Sequence, residues 1–281
     1  MKHRIGYELR YLFPQTTPVI LVLNTHFTRV SDLLATDHIA ISPSVPISGY
    51  RDEFGNWCSR ILAPAGQVRI SADAIIKNSG LDKETAQIVG HDQVPVEHLP
   101  DETMVFLRAS RFCDSDKLLD LAWELFGTAT PGAGRVRAIC NFVHQRIAFG
   151  YEYARVTRTA SEAYQEGCGV CRDYAHLAVA FCRALNIPAR YCTGYLSDVG
   201  AAAPQPSGDF AAWFEAYLAG GWEMFDPRNN VPRTGRVLIA RGRDATDVAM
   251  TTTFGPNTLE GFKVWTYAVH ETENAKALRN N

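Results

Sequence analysis

A cysteine at the start of a predicted helix is the residue of this chain best placed for covalent chemistry. Residues 169–175 read G-V-C-R-D-Y-A, and the apolar-periodic run that follows ends at Asn186 and Pro188. Backbone N–H groups and the helix dipole at a first turn favour the thiolate, which is the nucleophilic form of cysteine. A lone cysteine is more often a buried core residue. Cys171 lies outside the apolar stripe and precedes two charged residues, so the pattern favours a nucleophile.

Two later segments carry residues that could complete a thiol site. Residues 210–217 read F-A-A-W-F-E-A-Y, and residues 222–227 read W-E-M-F-D-P. In a triad of nucleophile, histidine and aspartate, the histidine moves protons and the carboxylate fixes its tautomer. Asp226 has the residue type of the third position, although an Asp-Pro pair also commonly begins a turn. Trp213 lies on the preceding strand, where a core position competes with a place in a substrate channel.

The segments before residue 100 have the periodicity of β-strands. Apolar and polar residues come close to strict alternation over residues 4–13 and 68–74, and residues 18–28 form a further strand candidate. Short strands separated by turns predict a small β-sandwich. We therefore assign residues 1–100 to an N-terminal β-sandwich domain with its linker.

Helical periodicity begins after Pro100 and gives way to strands again near residue 189. Helices are predicted over residues 114–126, 131–147 and 171–185, with a short helix or turn at 161–166. Strand-like segments follow at residues 189–196, 212–218, 222–225 and 262–269. We assign residues 101–281 to a second domain, which carries the cysteine and the candidate aspartate.

Four motifs in a fixed order resemble those of a known family. They read G-V-C-R-D-Y-A-x-L, P-A-R-Y-x-x-G-Y, A-W-F-E and F-D-P. Together they resemble the Cys, His and Asp blocks of the transglutaminase-like superfamily, in its bacterial cysteine-protease-like branch. The resemblance implies an α+β fold, in which an N-terminal β-sandwich precedes a papain-like core that packs a helix-borne cysteine on an antiparallel sheet.

The resemblance also implies a reaction. Cys171 attacks the carbonyl of an amide or isopeptide bond in a peptide substrate, a thioester forms, and Asp226 orients the histidine that moves the protons. If water accepts the acyl group from the thioester, the protein is a protease or amidase. If an amine accepts it, the protein is a transglutaminase. Hydrolysis ranks first, because most bacterial relatives look like hydrolases. No cofactor is implied.

One residue departs from the family pattern, because Ala211 stands where the family has the histidine of a His-Ala-Trp triplet. His176 lies roughly 140° around the helix from Cys171, and nothing aims His144 at the sulfur. Two explanations remain. The chain is a natural non-catalytic relative that binds a peptide or polymer, or it carries a deliberate His→Ala change that holds substrate without turnover. The match on both sides of Ala211 favours the second.

Composition excludes several other classes of function. The 281 residues are 46% apolar and 21% charged with a net charge of −2, and no basic stripe indicates nucleic-acid binding. The longest aliphatic run, residues 19–23, is too short to span a bilayer. Seven scattered cysteines predict reduced thiols and a cytoplasmic location. The single C-x-x-C has no second ligand pair, and no calcium loop occurs, so no metal is expected.

Overall fold

A computed structural model describes residues 1–77, 91–197, 208–231, 233 and 235–269. Its strands are β1 (Lys2–Phe13), β2 (Thr17–Leu21), β3 (Leu33–Ala35), β4 (Ala40–Ser42), β5 (Ser48–Arg51), β6 (Trp57–Ala63), β7 (Gly66–Lys77), β8 (Ala148–Phe149), β9 (Cys168–Gly169), β10 (Ala189–Tyr195), β11 (Ala211–Leu218), β12 (Gly221–Phe225), β13 (Val237–Gly242), β14 (Thr251–Thr253) and β15 (Thr258–Val269). Its α-helices are α1 (Leu119–Phe126), α2 (Ala133–Arg146), α3 (Ala160–Glu166) and α4 (Cys171–Ala184). Short 3-10 helices cover Phe27–Asp32, Val96–His98, Asp101–Leu107, Ser115–Leu118 and Tyr151–Tyr153. None of the described helices is both long and apolar enough to cross a bilayer.

Two antiparallel sheets form the predicted β-sandwich. One has the strand order β15-β1-β7-β3, with β4 also paired to β7, and the other has the order β14-β2-β6-β5. Apolar and polar residues alternate along the strands, so the apolar side chains form the inner faces of the sandwich. In β7, for example, Val68, Ile70 and Ala72 are buried, and Arg69 is exposed. The buried residues of both sheets belong to one hydrophobic cluster. The sandwich and the α+β fold class are therefore confirmed.

The sandwich includes strands from both ends of the described chain. Along its whole length β15 pairs with β1, from Lys2 opposite Val269 to Leu12 opposite Thr258, and β14 pairs with β2. The sequence pattern predicts that residues 251–269 belong to the second domain, whereas in the structure their strands pair with β1 and β2 of the sandwich. Periodicity identifies a strand, but it does not show which distant strand supplies the hydrogen bonds.

A separate four-stranded sheet outside the sandwich supports the candidate site. This sheet is antiparallel with the strand order β12-β11-β10-β13, and α4 packs against β10 and β11. Every residue of α4 from Asp173 to Ala184 is buried, as expected of a helix enclosed on all sides. The buried Arg183 guanidinium donates hydrogen bonds to the carbonyls of Ala189, Arg108 and Arg243, which compensate for its loss of contact with water. The papain-like arrangement is confirmed.

Strand β13 is absent from the sequence prediction. Residues 237–240 form a continuous apolar run, and all four are buried. A strand that is covered on both faces shows no alternation, so the period of two by which β1 and β7 are recognised is missing.

Candidate active site

Cys171 is the first residue of α4, and a buried carboxylate fixes the turn before it. Asp173 Oδ2 accepts a hydrogen bond from the Val170 backbone N–H at 2.8 Å. A β-carbon on Gly169 would lie 2.5 Å from that same oxygen, so the close approach requires glycine. The sequence G-V-C-R-D thus builds a helix start that holds the cysteine in one place.

A buried arginine connects this helix start to the neighbouring segment. Arg158 donates hydrogen bonds to Asp173 Oδ2 at 3.0 Å, to the Tyr153 carbonyl at 2.7 Å and to Glu166 at 2.9 Å. The Arg158 side chain is 5% exposed and that of Asp173 is fully buried. Sequence reasoning missed Arg158, because a single arginine in a loop has no periodicity that reveals its partner.

A cavity of about 390 Å³ opens beside the cysteine. Its walls include Cys171, Arg172, Thr193, Asp209, Ala211 and Ala212. The Cys171 thiol contacts the Phe210 carbonyl, with sulfur and oxygen 4.0 Å apart. The structure therefore brings the candidate nucleophile to the backbone on either side of Ala211.

Ala211 begins β11 at a point where one side of the strand is not paired. It lies opposite Gly194 of β10, whereas pairing with β12 extends only from Phe214 to Leu218. Ala211 packs against a cluster that includes Trp213 on the sheet face opposite α4, and it also lines the cavity. Position 211 thus lies at the end of β11 that β12 does not pair with, and it lines the same cavity as Cys171.

Asp226 follows β12 directly, and its carboxylate is almost completely buried. Asp226 Oδ1 accepts the Asn229 backbone N–H at 2.9 Å, and Oδ2 accepts the Asn229 side-chain amide at 2.6 Å and forms a close ion pair with Arg236. Burial raises the pKa of Asp226, but Arg236 and the bonds from Asn229 outweigh it and hold the pKa below the ordinary value. Asp226 therefore carries a fixed negative charge.

Asp226 is also a turn residue, since its carbonyl accepts the Asn230 backbone N–H at 2.8 Å. The turn at the Asp-Pro pair is therefore present, and the orienting role of Asp226 stays a prediction. Its partners Asn229 and Arg236 were not identified from the sequence, although aspartate, proline and asparagine are all common turn residues.

Trp213 occupies the core position, which is one of the two places that the sequence leaves open, and its contact with substrate stays a prediction. Its side chain is 2% exposed and packs against Cys192, Met224 and Leu238. The Arg236 guanidinium lies over its ring, 5.8 Å from the centroid. Trp213 therefore belongs to the core and supports the residues around Asp226.

Neither histidine considered from the sequence replaces the missing imidazole. His176 is stacked on Phe112, and its Nε2 accepts the Ala245 backbone N–H at 3.1 Å. Burial lowers the pKa of His176 to about 3, so it is a neutral core residue. His144 donates from Nδ1 to the Pro227 carbonyl at 3.1 Å and thus supports the turn after Asp226.

The electrostatics of Cys171 correct the expectation of a thiolate. Desolvation of the sulfur, and next the nearby Asp209 charge, raise the pKa of Cys171 to about 11. The Arg228 guanidinium and the Ala212 backbone N–H act in the opposite direction but do not outweigh them. At neutral pH the sulfur is therefore a thiol, in spite of its place at a helix start.

The raised pKa predicts an unusual pH profile of alkylation. Because only the thiolate reacts, the rate of iodoacetamide labelling at Cys171 should keep rising about tenfold per pH unit up to about pH 10. Mass-spectrometric mapping of the labelled peptide measures this rate, and Cys171→Ser identifies the peptide. A plateau below pH 9 would show that the sulfur ionises normally and would contradict the raised pKa.

Comparisons with known proteins agree with this architecture. Residues 120–227, which contain Cys171, Ala211 and Asp226, match the family model of the transglutaminase-like superfamily. A candidate cysteine protease from Cytophaga hutchinsonii, known from its crystal structure, is 30% identical with a TM-score of 0.82, over 96% of this chain and 91% of that chain. A segment of 91 residues is 40% identical to an uncharacterized protein of Mycobacterium leprae, and it covers 31% of this chain and 32% of that protein. The chain belongs to the transglutaminase-like superfamily.

Proposed function

We propose that this chain is a thiol acyl-transfer protein that acts on amide or isopeptide bonds through a Cys171 thioester. The observation that carries the proposal is the shared cavity of Cys171 and Ala211, with the sulfur against the backbone at residue 210. A histidine at position 211 would lie at the strand edge next to this sulfur. With alanine there, the proton-transfer group is missing and turnover is slow.

The chemistry follows from the position of the sulfur at the helix start. The Cys171 sulfur attacks the carbonyl carbon, a C–S bond forms, the C–N bond breaks, and the leaving amine takes up a proton. The backbone N–H of Cys171, at the first turn of α4, is the proposed donor to the oxyanion. Water then releases the acyl group as an acid, whereas an amine would release it as a new amide.

Hydrolysis is the preferred outcome. The Cytophaga hutchinsonii protein, which shares the fold over nearly the whole chain, is described as a candidate cysteine protease. Attack by an amine would require an acceptor to compete with water in the cavity. The seven cysteines, all unpaired, support a cytoplasmic location within the same proposal.

A second candidate function is a binding module that recognises a peptide or polymer without turning it over. The raised pKa of Cys171 favours it, since a protonated thiol is a weak nucleophile. The buried charge of Asp226 is compatible with it too, because Arg236 and Asn229 satisfy this carboxylate without any histidine.

One screen separates the two functions. The chain and its Ala211→His variant are incubated with peptide amides and isopeptides, with and without a primary amine, and products are identified by mass spectrometry. Turnover by the variant that disappears in the Cys171→Ser, Ala211→His double variant supports the thiol enzyme. Tight binding with no turnover by either protein supports the binding module.

A further inference from the structure

The cavity contains a second carboxylate, which the triad scheme does not use. Asp209 is an exposed residue on the cavity wall, two positions before Ala211. Its Oδ1 accepts the Phe210 backbone N–H at 2.7 Å. Within the described residues its Oδ2 takes part in no hydrogen bond, so this oxygen can accept a proton donor in the cavity.

Asp209 and Asp226 differ in what their carboxylates can do. Both oxygens of Asp226 accept hydrogen bonds from buried or half-buried protein groups, and an arginine neutralises its charge. Asp209 has no such ion pair with a described residue, and it lines the cavity that Cys171 shares. The first carboxylate suits a fixed orienting role, and the second suits proton transfer.

The charged and titratable groups around Asp209 come from several segments. Arg228 lies on the turn after β12 and lowers the pKa of Asp209, Tyr151 lies on the neighbouring 3-10 helix, and the Cys171 thiol lies on α4. Desolvation outweighs Arg228, so the pKa of Asp209 is raised above the ordinary value of a carboxyl group. A carboxylate with a raised pKa is a stronger base.

We infer that Asp209 is the proton acceptor that activates water for cleavage of the Cys171 thioester in this chain. The inference rests on the proposed function, because it requires an acyl group on Cys171. It assigns to Asp209 the step for which position 211 offers no imidazole.

The step balances without any further reactant. Asp209 takes a proton from water, and the water oxygen bonds to the thioester carbonyl carbon. The C–S bond breaks, a carboxylic acid leaves, and the proton passes from Asp209 to the Cys171 thiolate. The cavity volume of about 390 Å³ is sufficient for such a water, whose share of liquid volume is about 30 Å³.

Charge explains why Asp209 acts on the thioester and not on the free thiol. Next to the unmodified sulfur its negative charge disfavours the thiolate. In the thioester the sulfur has no proton to lose, so the Asp209 charge opposes no ionisation there, and a water molecule becomes its proton donor. The same residue therefore slows acylation and speeds deacylation.

Because Asp209 should slow acylation of Cys171 and speed deacylation, the two steps can be tested separately with p-nitrophenyl acetate as the probe. Its leaving group departs as an anion, so the burst of p-nitrophenolate reports attack by Cys171, and the steady state reports cleavage of the acetyl thioester. In Asp209→Asn the burst should become faster, because a negative charge near the sulfur is lost. The steady-state rate should fall at least about tenfold, because general-base assistance is typically worth 10²-fold or more.

Two matched variants make the result specific. Asp120→Asn removes the same charge from an exposed position on α1, and Tyr151→Phe removes another titratable group that interacts with Asp209 and Cys171. Both should leave the steady-state rate unchanged. An unchanged steady state in Asp209→Asn, or an equal loss in Tyr151→Phe, would overturn the role of Asp209. Mass-spectrometric failure to find acetyl on Cys171 would instead overturn the proposed function, and the role of Asp209 with it.

Discussion

Replacing Ala211 with histidine is expected to raise turnover of an amide substrate at least about 10³-fold, because it would supply the histidine of the proposed triad with Cys171 and Asp226. Cys171 already lies against residues 210–212, and Asp226 already carries a fixed charge. An imidazole at this strand edge could take the thiol proton and deliver it to the leaving amine. The measurement is kcat/KM for one amide from the screen, with both proteins under identical conditions.

The matched control is Ala211→Asn, which introduces a polar side chain that does not titrate near neutral pH. The asparagine variant should leave turnover at the level of the starting chain. The activity of the histidine variant should instead increase as the pH rises and the imidazole loses its proton. Equal rates for the chain and the Ala211→His variant would mean that position 211 is not the base, and the triad assignment would have to be abandoned. A gain in the asparagine variant as large as in the histidine variant would attribute the effect to shape or polarity.

The expected gain is large because of the charges now around the sulfur. Asp209 and Asp226 both raise the pKa of Cys171, and desolvation raises it further. An imidazolium would add a positive charge next to the thiolate, which is the arrangement that lowers cysteine pKa values in other thiol sites. A histidine at position 211 would therefore supply both a proton carrier and a cation that stabilises the nucleophile.

The sequence predicts the local features of this site well. The glycine-flanked start of α4, the turn at Asp226 and the strand that begins at Ala211 depend on residues close to each other in the chain. The motif order also identifies the fold, because each motif marks one element of the core. These features need only periodicity, capping and turn chemistry.

Features that depend on distant partners are not predictable in the same way. The pairing of β15 with β1 joins residues more than 240 positions apart, and the Arg183 guanidinium donates to the Arg243 carbonyl 60 positions away. The pKa of Cys171 shows the same limit. A helix start favours the thiolate, but desolvation and Asp209 have the larger effect, and the packing that produces them is visible only in three dimensions.

Replacing Asp173 with alanine is expected to lower the free energy of unfolding by about 3 kcal/mol. Removing one partner of a buried ion pair typically costs about 3–5 kcal/mol, because the remaining charge stays buried without compensation. Asp173 is fully buried and Arg158 is 5% exposed, but Arg158 keeps a second carboxylate partner in Glu166, which places the loss at the lower end. Urea denaturation followed by circular dichroism measures the change.

The control for this prediction is Glu166→Gln, which removes the other acidic partner of the same arginine. Glu166 is 38% exposed, so its loss should cost less than about 1 kcal/mol, as for other exposed pairs. Arg158→Met combined with Asp173→Ala should cost less than the sum of the single changes, because the double variant leaves no unpaired charge. A loss below about 1 kcal/mol in Asp173→Ala would show that the pair does not stabilise the fold. Since Asp173 also holds the Val170 backbone N–H, the expected loss links the stability of the core to the position of Cys171.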